Sequence, residues 1–312
     1  MQWLFQLQRE VLLYETIETV LKKKHAYLIL AHKDDLTFHT LLKMLDYENN
    51  DVFVHFDAKK KTFDEKKISE LQRQMISGRL YFTKRVSVNW GGYSLIRAEL
   101  ILLKTALAHG SYDYYHLLSG EDLPIQTHED IDSFFSNHYG EQFLQIGPLL
   151  QSNGFHDLDR VRYYHFFQEQ TGKYEGNIPT RAAYKISLAI QKAFRVRRNK
   201  RTDFLRGSQW FSITHELAKY VVSQESIIER LFKWTFCADE LFLQTIIHGT
   251  IYEKQVSSLK SMRLIDWARG KPYVYRITDL EEIKESQELF ARKFDCRVDN
   301  GIIGVIEKLY RC

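Results

Sequence analysis

The chain has 312 residues, of which 44% are apolar and 27% are charged, so it is long and apolar enough to bury a substantial core. Its 44 Lys and Arg residues against 40 Asp and Glu residues leave a net charge of +4, which is too weak a field to indicate a nucleic-acid partner. This composition excludes a disordered chain, a collagen-like chain, a coiled coil and a disulfide scaffold.

The first 24 residues have apolar side chains at intervals, interrupted by charged ones, which predicts an amphipathic helical extension. No run there approaches the roughly 20 apolar residues that span a bilayer, and the basic start and cleavage site of a secretory signal are missing. A helix packed on the body of the protein and a helix at a membrane surface remain open, and we favour the packed helix. Residues 25–312 contain no repeat or linker and are predicted to form one elaborated domain.

From residue 25 onward, short apolar runs alternate with segments of helical period. The predicted strands are 26–31, 52–56, 80–82 and 114–118. The predicted helices between them are 36–46, 63–76 and 94–109. This alternation predicts an α/β domain with a doubly wound, largely parallel sheet.

The middle of the chain is different, because residues 151–206 show weak periodicity and carry a basic stretch at 192–206. We interpret this stretch as a solvated helix face and loop, with binding to anionic lipid or an acidic glycan as the alternative. Regular structure returns in the C-terminal third. The elements predicted there are strand 209–214, helices 215–223 and 239–248, strands 263–266 and 273–277, and helix 300–310.

Several kinds of site are excluded by pattern. The three cysteines are far apart and form no C-x-x-C pair, which indicates neither a disulfide framework nor a thiolate metal site and fits a reducing cytoplasm. The 12 histidines lack metal-ligand spacing. P-loop, dinucleotide-binding, zinc-protease and α/β-hydrolase motifs are all missing.

Polar residues follow two of the predicted strands. Asp57 and Lys59 come after strand 52–56, and Asp122 comes after strand 114–118. Open α/β sheets bind ligands at the carboxyl ends of their strands, where an acid can accept a hydrogen bond from a ribose or a base. Capping of the following helix is the alternative interpretation of each acid.

Three further segments have ordinary structural interpretations. Two glycines before helix 94–109 permit close backbone approach, and Ser94 is its predicted N-cap. Asp239 and Glu240 open a predicted helix, where acids usually cap. Arg292 and Lys293 lie between aromatic residues, and such pairs are normally solvated.

Taken together, eight segments in this order resemble the core-2/I-branching β-1,6-N-acetylglucosaminyltransferase family, which also contains the peptide O-xylosyltransferases. The segments are AYLILAHKD (26–34), VFVHFDAK (52–59), VNWGGYSLIRAEL (88–100), YYHLLSGEDLPIQ (114–126), GSQWFSIT (207–214), CADELFLQTII (237–247), RLIDW (263–267) and LFARKFD (289–295). The resemblance implies a GT-A type fold over residues 25–312, with a Rossmann-like, mostly parallel sheet flanked by helices. It also implies a UDP-sugar donor, inversion at the anomeric carbon and no metal cofactor.

The resemblance implies roles for individual residues on the donor side. The basic pair that meets the charge of departing UDP falls on Lys293 and Arg276, with Arg292 as a further candidate. The nucleoside is expected near Asp57 and Asp122, with His32 and Lys59 close by. The sequence Asp157-Leu158-Asp159 spells a metal-binding D-x-D, but no apolar strand leads into it, so we interpret it as coincidence.

On the acceptor side, the family's general base falls on Glu240, and Asp239 caps the helix or positions that base. Trp267 and Trp210 match aromatic residues of the family and are expected to support the acceptor sugar, with a buried core position as the alternative for Trp210. Arg160 is a further acceptor-binding candidate.

We therefore predict an inverting, metal-independent transferase that moves GlcNAc from UDP-GlcNAc to a sugar hydroxyl, in the manner of the β-1,6-branching enzymes. The acceptor is expected to be a glycan or a lipid-linked saccharide of surface polysaccharide synthesis, met in the cytoplasm or peripherally at the inner membrane face. Transfer of xylose or another sugar from UDP is the alternative, although Gln209 stands where the xylosyltransferases have an acid. A non-catalytic glycan-binding protein on the same fold is the alternative of another class.

Overall fold

The computed structural model describes residues 25–149, 151–152, 155–172 and 178–311, so the predicted extension at 1–24 lies outside the described residues. The strands are β1 (His25–Ala31), β2 (Asn50–Phe56), β3 (Arg79–Phe82), β4 (Tyr114–Ser119), β5 (Asp122–Pro124), β6 (Phe143–Leu144), β7 (Gln151–Ser152), β8 (Phe155–His156), β9 (Phe211–Thr214), β10 (Arg263–Ile265) and β11 (Phe290–Arg292). The helices of the first half are α1 (Leu36–Met44), α2 (Glu65–Gln74), α3 (Tyr93–His109), α4 (His128–Asn137), α5 (Asp159–Arg162) and α6 (Gln168–Thr171). Those of the second half are α7 (Ile178–Ala193), α8 (His215–Ser223), α9 (Glu225–Phe232), α10 (Phe242–Ile247), α11 (Ile251–Lys254), α12 (Leu280–Glu285) and α13 (Asn300–Tyr310), with 3-10 turns η1 (Ala238–Glu240) and η2 (Ile277–Asp279).

A six-stranded sheet with the order β3-β2-β1-β4-β9-β6 forms the centre of the protein. The first four strands are parallel, and β9 pairs antiparallel with both β4 and β6. Strands β2 and β4 are buried along their whole length, as expected of strands covered by helices on both faces. The predicted α/β class, with a mostly parallel sheet flanked by helices, is confirmed.

Alternate residues of β1 belong to two different hydrophobic cores, one on each face of the sheet. Tyr27 and Ile29 join the core that includes α1 and α13. Ala26 and Leu28 join the core that includes α3 and α8. Because strand side chains alternate between faces, a continuous apolar run supplies both cores at once.

A second sheet, β10-β11-β5, lies at the end of β4 and was only partly predicted. Strand β11 pairs parallel with β10 and antiparallel with β5, although β5 and β11 have only three residues each. The predicted strand 273–277 is wrong, because this segment forms only a few isolated backbone hydrogen bonds, with Asp266 and Lys293, and then turns into η2. The amide of Arg276 donates to Asp279 Oδ2 at 2.7 Å, which turns the chain there.

Three sequence-based details are corrected. Helix α3 begins after Gly92 rather than after Ser94, whose hydroxyl instead donates to Glu169. The predicted helix 239–248 is divided into η1 and α10 by Leu241, which has a φ of −130°. The weakly periodic middle contains the 16-residue helix α7, of which only Gln191 is buried among the described side chains.

Candidate active site

Three parallel strands of the central sheet end at the same edge. The register pairs Ala31 of β1 with Phe56 of β2, and Leu30 with Ser119 of β4. The residues that follow these strands therefore lie side by side, at the edge where open α/β sheets bind ligands. Strand β5 and its partner β11 extend this edge and place the residues after β11 against those after β4.

Lys293 belongs to a cluster of opposite charges at this edge. Its Nζ lies 2.9 Å from Glu121 Oε2, and Lys33 bonds the other oxygen of the same carboxylate. Lys33 Nζ also donates to Asp295 Oδ2 at 2.9 Å. Burial alone would raise the pKa of Glu121, but the hydrogen bonds from Lys33 and Lys293 outweigh it and lower that pKa. The carboxylates thus hold two ammonium groups in place, and both remain partly exposed to solvent.

Asp57 and His32 lie next to this charge cluster. Asp57 Oδ1 accepts from the amides of Lys59 at 2.9 Å and Val88 at 3.3 Å. Desolvation lowers the pKa of His32, and the charges of Lys33 and Lys293 act in the same direction, against those of Glu121 and Asp57. His32 is thus a neutral imidazole at pH 7, with the candidate cations close by.

Asp122, Arg292 and Trp210 form a buried stack. The carboxylate of Asp122 accepts from the amide and the hydroxyl of Ser119, both at 2.8 Å, and lies 3.6 Å from Arg292 Nε. The Arg292 guanidinium lies 3.9 Å from the centre of the Trp210 ring. Asp122 and Trp210 are only 1% and 8% exposed, so both lie beneath the surface of the edge.

The stack nevertheless retains an unused donor. Arg292 Nη1 is buried and has no hydrogen-bond partner within the described part of the chain. A buried guanidinium N–H without an acceptor is costly, which makes it a good partner for an anion.

Arg276 and Trp267 lie on segments that flank Lys293. The amide of Tyr275 donates to the Lys293 carbonyl at 2.9 Å, which places the neighbouring Arg276 beside it, and Arg276 is exposed. Trp267 follows β10 by two residues and is also exposed. Both side chains are therefore exposed, on segments that lie beside the segment of Lys293.

Glu240 belongs to a second cluster of charges. Its Oε2 accepts from Arg160 Nη1 at 2.8 Å and lies 4.0 Å from Arg206 Nη2, while its side chain is 34% exposed. Asp157 bridges the same arginines, at 3.4 Å from Arg160 Nε and 3.0 Å from Arg206 Nη1. The first acid of the D-x-D sequence is thus committed to two guanidinium groups. Within the ranges that the structure describes, no three His, Cys, Asp or Glu side chains are grouped to hold a metal ion.

The backbone around Glu240 is held from two sides. The amide of Gly207 donates to the Glu240 carbonyl at 2.9 Å, and that of Cys237, which has a φ of +46°, donates to the Gly91 carbonyl at 2.9 Å. A Cβ at Gly207 would lie 1.7 Å from the Gln145 carbonyl oxygen, so only glycine fits there.

Two acids lie behind Glu240, one fully buried and one partly buried, and sequence analysis missed the first of them. Glu99 of α3 is fully buried and accepts from Gln209 Nε2 at 2.8 Å. Burial raises its pKa well above the usual value, and the charge of Asp239 adds to this. Burial, with help from Glu240, raises the pKa of Asp239 to about 7. At neutral pH Asp239 is therefore partly protonated.

Two series of interactions run between the charge clusters around Lys293 and Glu240. The first begins at Arg292, which precedes Lys293, and passes through the Trp210 ring and its neighbour Gln209 to Glu99. The charge of Asp239, next to Glu240, helps to raise the pKa of Glu99. The second is the segment 86–92. Its Val88 amide bonds Asp57 and its Gly91 carbonyl bonds Cys237.

Lys33, Glu121 and Asp295 are site residues to which sequence analysis gave no role. All three lie within segments that carried the family resemblance. Lys33 and Asp295 are 262 positions apart in sequence, so no local pattern indicates that they meet. Arg206, which bonds Asp157, was interpreted only as part of a basic stretch.

Comparison with known proteins finds relatives that are named as xylosyltransferases. Xylosyltransferase 2 from Bos taurus is 22% identical over 307 residues, which covers 90% of this chain and 33% of that protein. Xylosyltransferase sqv-6 from Caenorhabditis elegans is 23% identical over 304 residues, which covers 85% of this chain and 34% of that protein. The chain thus spans about a third of the length of the curated relatives it matches.

Among solved structures, the apo-form glycosyltransferase GlyE of Streptococcus pneumoniae TIGR4 aligns with 87% of this chain and 55% of its own. The identity is 10% and the TM-score is 0.36, a likeness too low to carry an argument. The sequence model of the family Core-2/I-Branching enzyme, in contrast, matches residues 25–287. The family that the eight segments indicated is confirmed by this match, and the chain belongs to the core-2/I-branching enzyme family of glycosyltransferases.

Proposed function

We propose that the protein is an inverting glycosyltransferase that moves a sugar from UDP to an acceptor hydroxyl, with Glu240 as the general base. The observation that carries this proposal is the stack of Arg292 on Trp210, whose neighbour Gln209 bonds the Glu99 that lies close enough to Asp239 for its charge to act on it. A base and a set of cations on one packed scaffold is what inverting transfer needs, because attack and departure occur on opposite sides of one carbon.

Glu240 is suited to take the acceptor proton. Arg160 fixes Oε2 and leaves Oε1 without a hydrogen bond from any residue in the described ranges, and the side chain is accessible. In the proposed step the acceptor oxygen loses its proton to Glu240 and forms a bond to the anomeric carbon. The bond from that carbon to the UDP oxygen breaks, and UDP leaves with the electron pair.

The charge that develops on departing UDP is met by cations of the chain. Lys293 and Lys33 present partly exposed ammonium groups held by Glu121, and Arg292 retains an unused N–H. Arg276 lies on the neighbouring segment and is exposed. Since these groups neutralise the diphosphate, we propose that the reaction requires no metal.

For the nucleoside, we assign His32, Asp57 and Lys59 at the ends of β1 and β2. Asp122 takes a supporting role, because its oxygens already bond Ser119 and Arg292. Trp210 is likewise a support, whereas we assign the exposed Trp267 to the acceptor sugar.

GlcNAc is the proposed donor sugar, and the acceptor is a glycan or lipid-linked saccharide of surface polysaccharide synthesis, met at the inner face of the membrane. Xylose is the second candidate, favoured by the names of the relatives with 22–23% identity. A panel of UDP-sugars, each assayed for UDP release with and without acceptor saccharides, separates the two. If the protein bound sugars tightly but released UDP from no donor, the proposed transferase activity would be contradicted. A non-catalytic glycan-binding protein would then be favoured.

The general base is tested by Glu240→Gln, which keeps the shape and the hydrogen bond to Arg160. We expect UDP release with acceptor to fall at least about a hundredfold, the lower range for a positioned base. Calorimetric UDP affinity should stay unchanged, since the cation cluster is intact. Wild-type activity in this variant would refute the assignment.

A further inference from the structure

Helix α7 exposes a continuous apolar face. Ile178, Ile186, Ile190 and Phe194 are 83%, 58%, 52% and 78% exposed, and the exposed Ala182 and Ala189 lie between them. At about 100° per residue these six side chains occupy one arc of about 160° around the helix axis. No polar residue of α7 falls within this arc.

The polar side of α7 is the side that packs on the protein. Gln191 is the buried residue of the helix, and its amide exchanges two hydrogen bonds of 2.8 Å with the backbone of Tyr164. The Tyr184 hydroxyl lies 2.8 Å from His165 Nδ1. A surface helix of a globular protein normally turns its apolar stripe inward, so this orientation is reversed.

Positive charge lies along one edge of the apolar face and beyond its C-terminal end. Residues 178–202 contain eight Lys and Arg residues and no Asp or Glu. Arg181 and Lys185 lie along one edge of α7 and have no hydrogen bond or ion pair with any described residue. If a second copy docked through the same face, the basic residues of its α7 would lie near those of the first copy. The repulsion between these like charges argues against self-association.

We propose that α7 docks the protein on an anionic lipid surface. Its apolar arc enters the boundary between headgroups and acyl chains, and the flanking cations meet lipid phosphates. Among the described residues no helix is long and apolar enough to cross a bilayer, and docking of this kind needs none.

The edge of α7 that carries Arg181 and Lys185 also faces the candidate active site. Arg181, Tyr184 and Lys185 line a cleft together with Trp90 and Phe236. The amide of Phe236 donates to the Arg160 carbonyl at 3.0 Å, and Arg160 holds Glu240. Docking through α7 therefore brings the neighbourhood of Glu240 close to the lipid surface.

The test is flotation of the full chain with vesicles, without any sugar donor, so that its result is independent of the proposed activity. We expect binding to vesicles of 30% phosphatidylglycerol in phosphatidylcholine, weaker binding at high salt, and little binding to pure phosphatidylcholine. Hydrogen exchange should show vesicle-dependent protection in residues 178–194.

The double variant Ile186→Asn and Ile190→Asn should lower vesicle binding at least tenfold. Its matched control is Ile76→Asn with Ile251→Asn, which removes two exposed isoleucines elsewhere and should leave binding unchanged. Lys200→Glu with Arg201→Glu should weaken binding, whereas Lys60→Glu with Lys61→Glu should weaken it less. Because all of these side chains are exposed, thermal unfolding curves should coincide with that of the wild type.

Four outcomes would overturn the proposal. The first is unchanged vesicle binding by the double asparagine variant, and the second is equal binding to neutral vesicles. The third is protection of 178–194 without vesicles, or a dimer that the asparagine variant dissociates, since another part of the chain or a second copy would then cover the face. The fourth is protection by inorganic phosphate alone, which would assign the cations to a soluble anion.

Discussion

Replacement of Asp239 by asparagine should stabilise the protein, and more so at high pH. Burial raises the pKa of Asp239 from 3.8 to about 7, so the folded chain holds this proton more tightly than the unfolded chain. Between these two values the unfolded state loses the proton first, and the free energy of unfolding therefore decreases as the pH rises. The asparagine amide does not titrate, so the Asp239→Asn variant lacks this decrease.

The expected size follows from the same two pKa values. The destabilisation by wild-type Asp239 grows from about 1.7 kcal/mol at pH 5 to about 4.3 kcal/mol at pH 8, a difference of about 2.6 kcal/mol. Because water reaches part of this side chain, we regard that difference as an upper bound and expect at least about 1 kcal/mol. Below pH 4 the contribution disappears.

Urea unfolding of the wild type and Asp239→Asn at pH 5, 6, 7 and 8 measures this difference. Glu99→Gln should change stability in the same direction, since burial also raises the pKa of Glu99. The exposed Glu281→Gln serves as the control and should show no pH-dependent difference. Parallel stability curves for the wild type and Asp239→Asn would show that Asp239 is ionised in the folded state, and would refute the reasoning.

Three further predictions concern the proposed reaction. Glu240→Gln should reduce UDP release at least about a hundredfold with unchanged UDP affinity, measured by coupled assay and calorimetry; a matching loss of affinity would contradict a role as base. Lys293→Met should weaken UDP binding about ten- to a hundredfold, the effect of losing one charged hydrogen bond of about 1.5–3 kcal/mol, whereas Lys61→Met should not. If Lys293→Met bound UDP with the affinity of the wild type, the assignment of Lys293 to the diphosphate would be wrong. Incubation with EDTA should leave the rate of UDP release unchanged, and activity restored only by Mn²⁺ would count against a cation-based site.

The central strands were predictable because the residues of each strand themselves indicate that it is buried. A parallel strand covered on both faces needs a continuous apolar run, and β1, β2 and β4 each have one. Strands β5 and β11 were not predictable, because each has only three residues and their mutual pairing joins segments more than 160 positions apart. Helix α7 was missed because the usual rule places an apolar stripe in the core, and this stripe faces solvent.

The residue types of the candidate site were predictable, but which of these residues are buried and which are exposed was not. The family resemblance selected Asp122 and Trp210 together with Asp57 and Trp267, and sequence alone does not distinguish buried from accessible members of such a set. The structure makes the distinction, because Asp122 and Trp210 hold Arg292 from below. It also adds Glu121, whose partners Lys33 and Lys293 come from distant parts of the chain.

The segment around Lys293 lies beyond the part of the chain that the family model matches, which ends at residue 287. Its place at the candidate site therefore depends on contacts within this chain. Strand β11 pairs Ala291 with Leu123, and the amide of Phe294 donates to the Glu121 carbonyl at 2.9 Å. These backbone bonds fix Lys293 against Glu121 independently of its own ion pair.

The buried acids behind Glu240 give the proposed base a charge-sensitive environment. Burial is the main cause of the raised pKa of Asp239, and the negative charge of Glu240 is the next. When Glu240 takes a proton, that cause is lost and the pKa of Asp239 decreases toward the value set by burial alone. The charge of Glu240 thus adds to the instability that burial of Asp239 brings to the folded protein above pH 4.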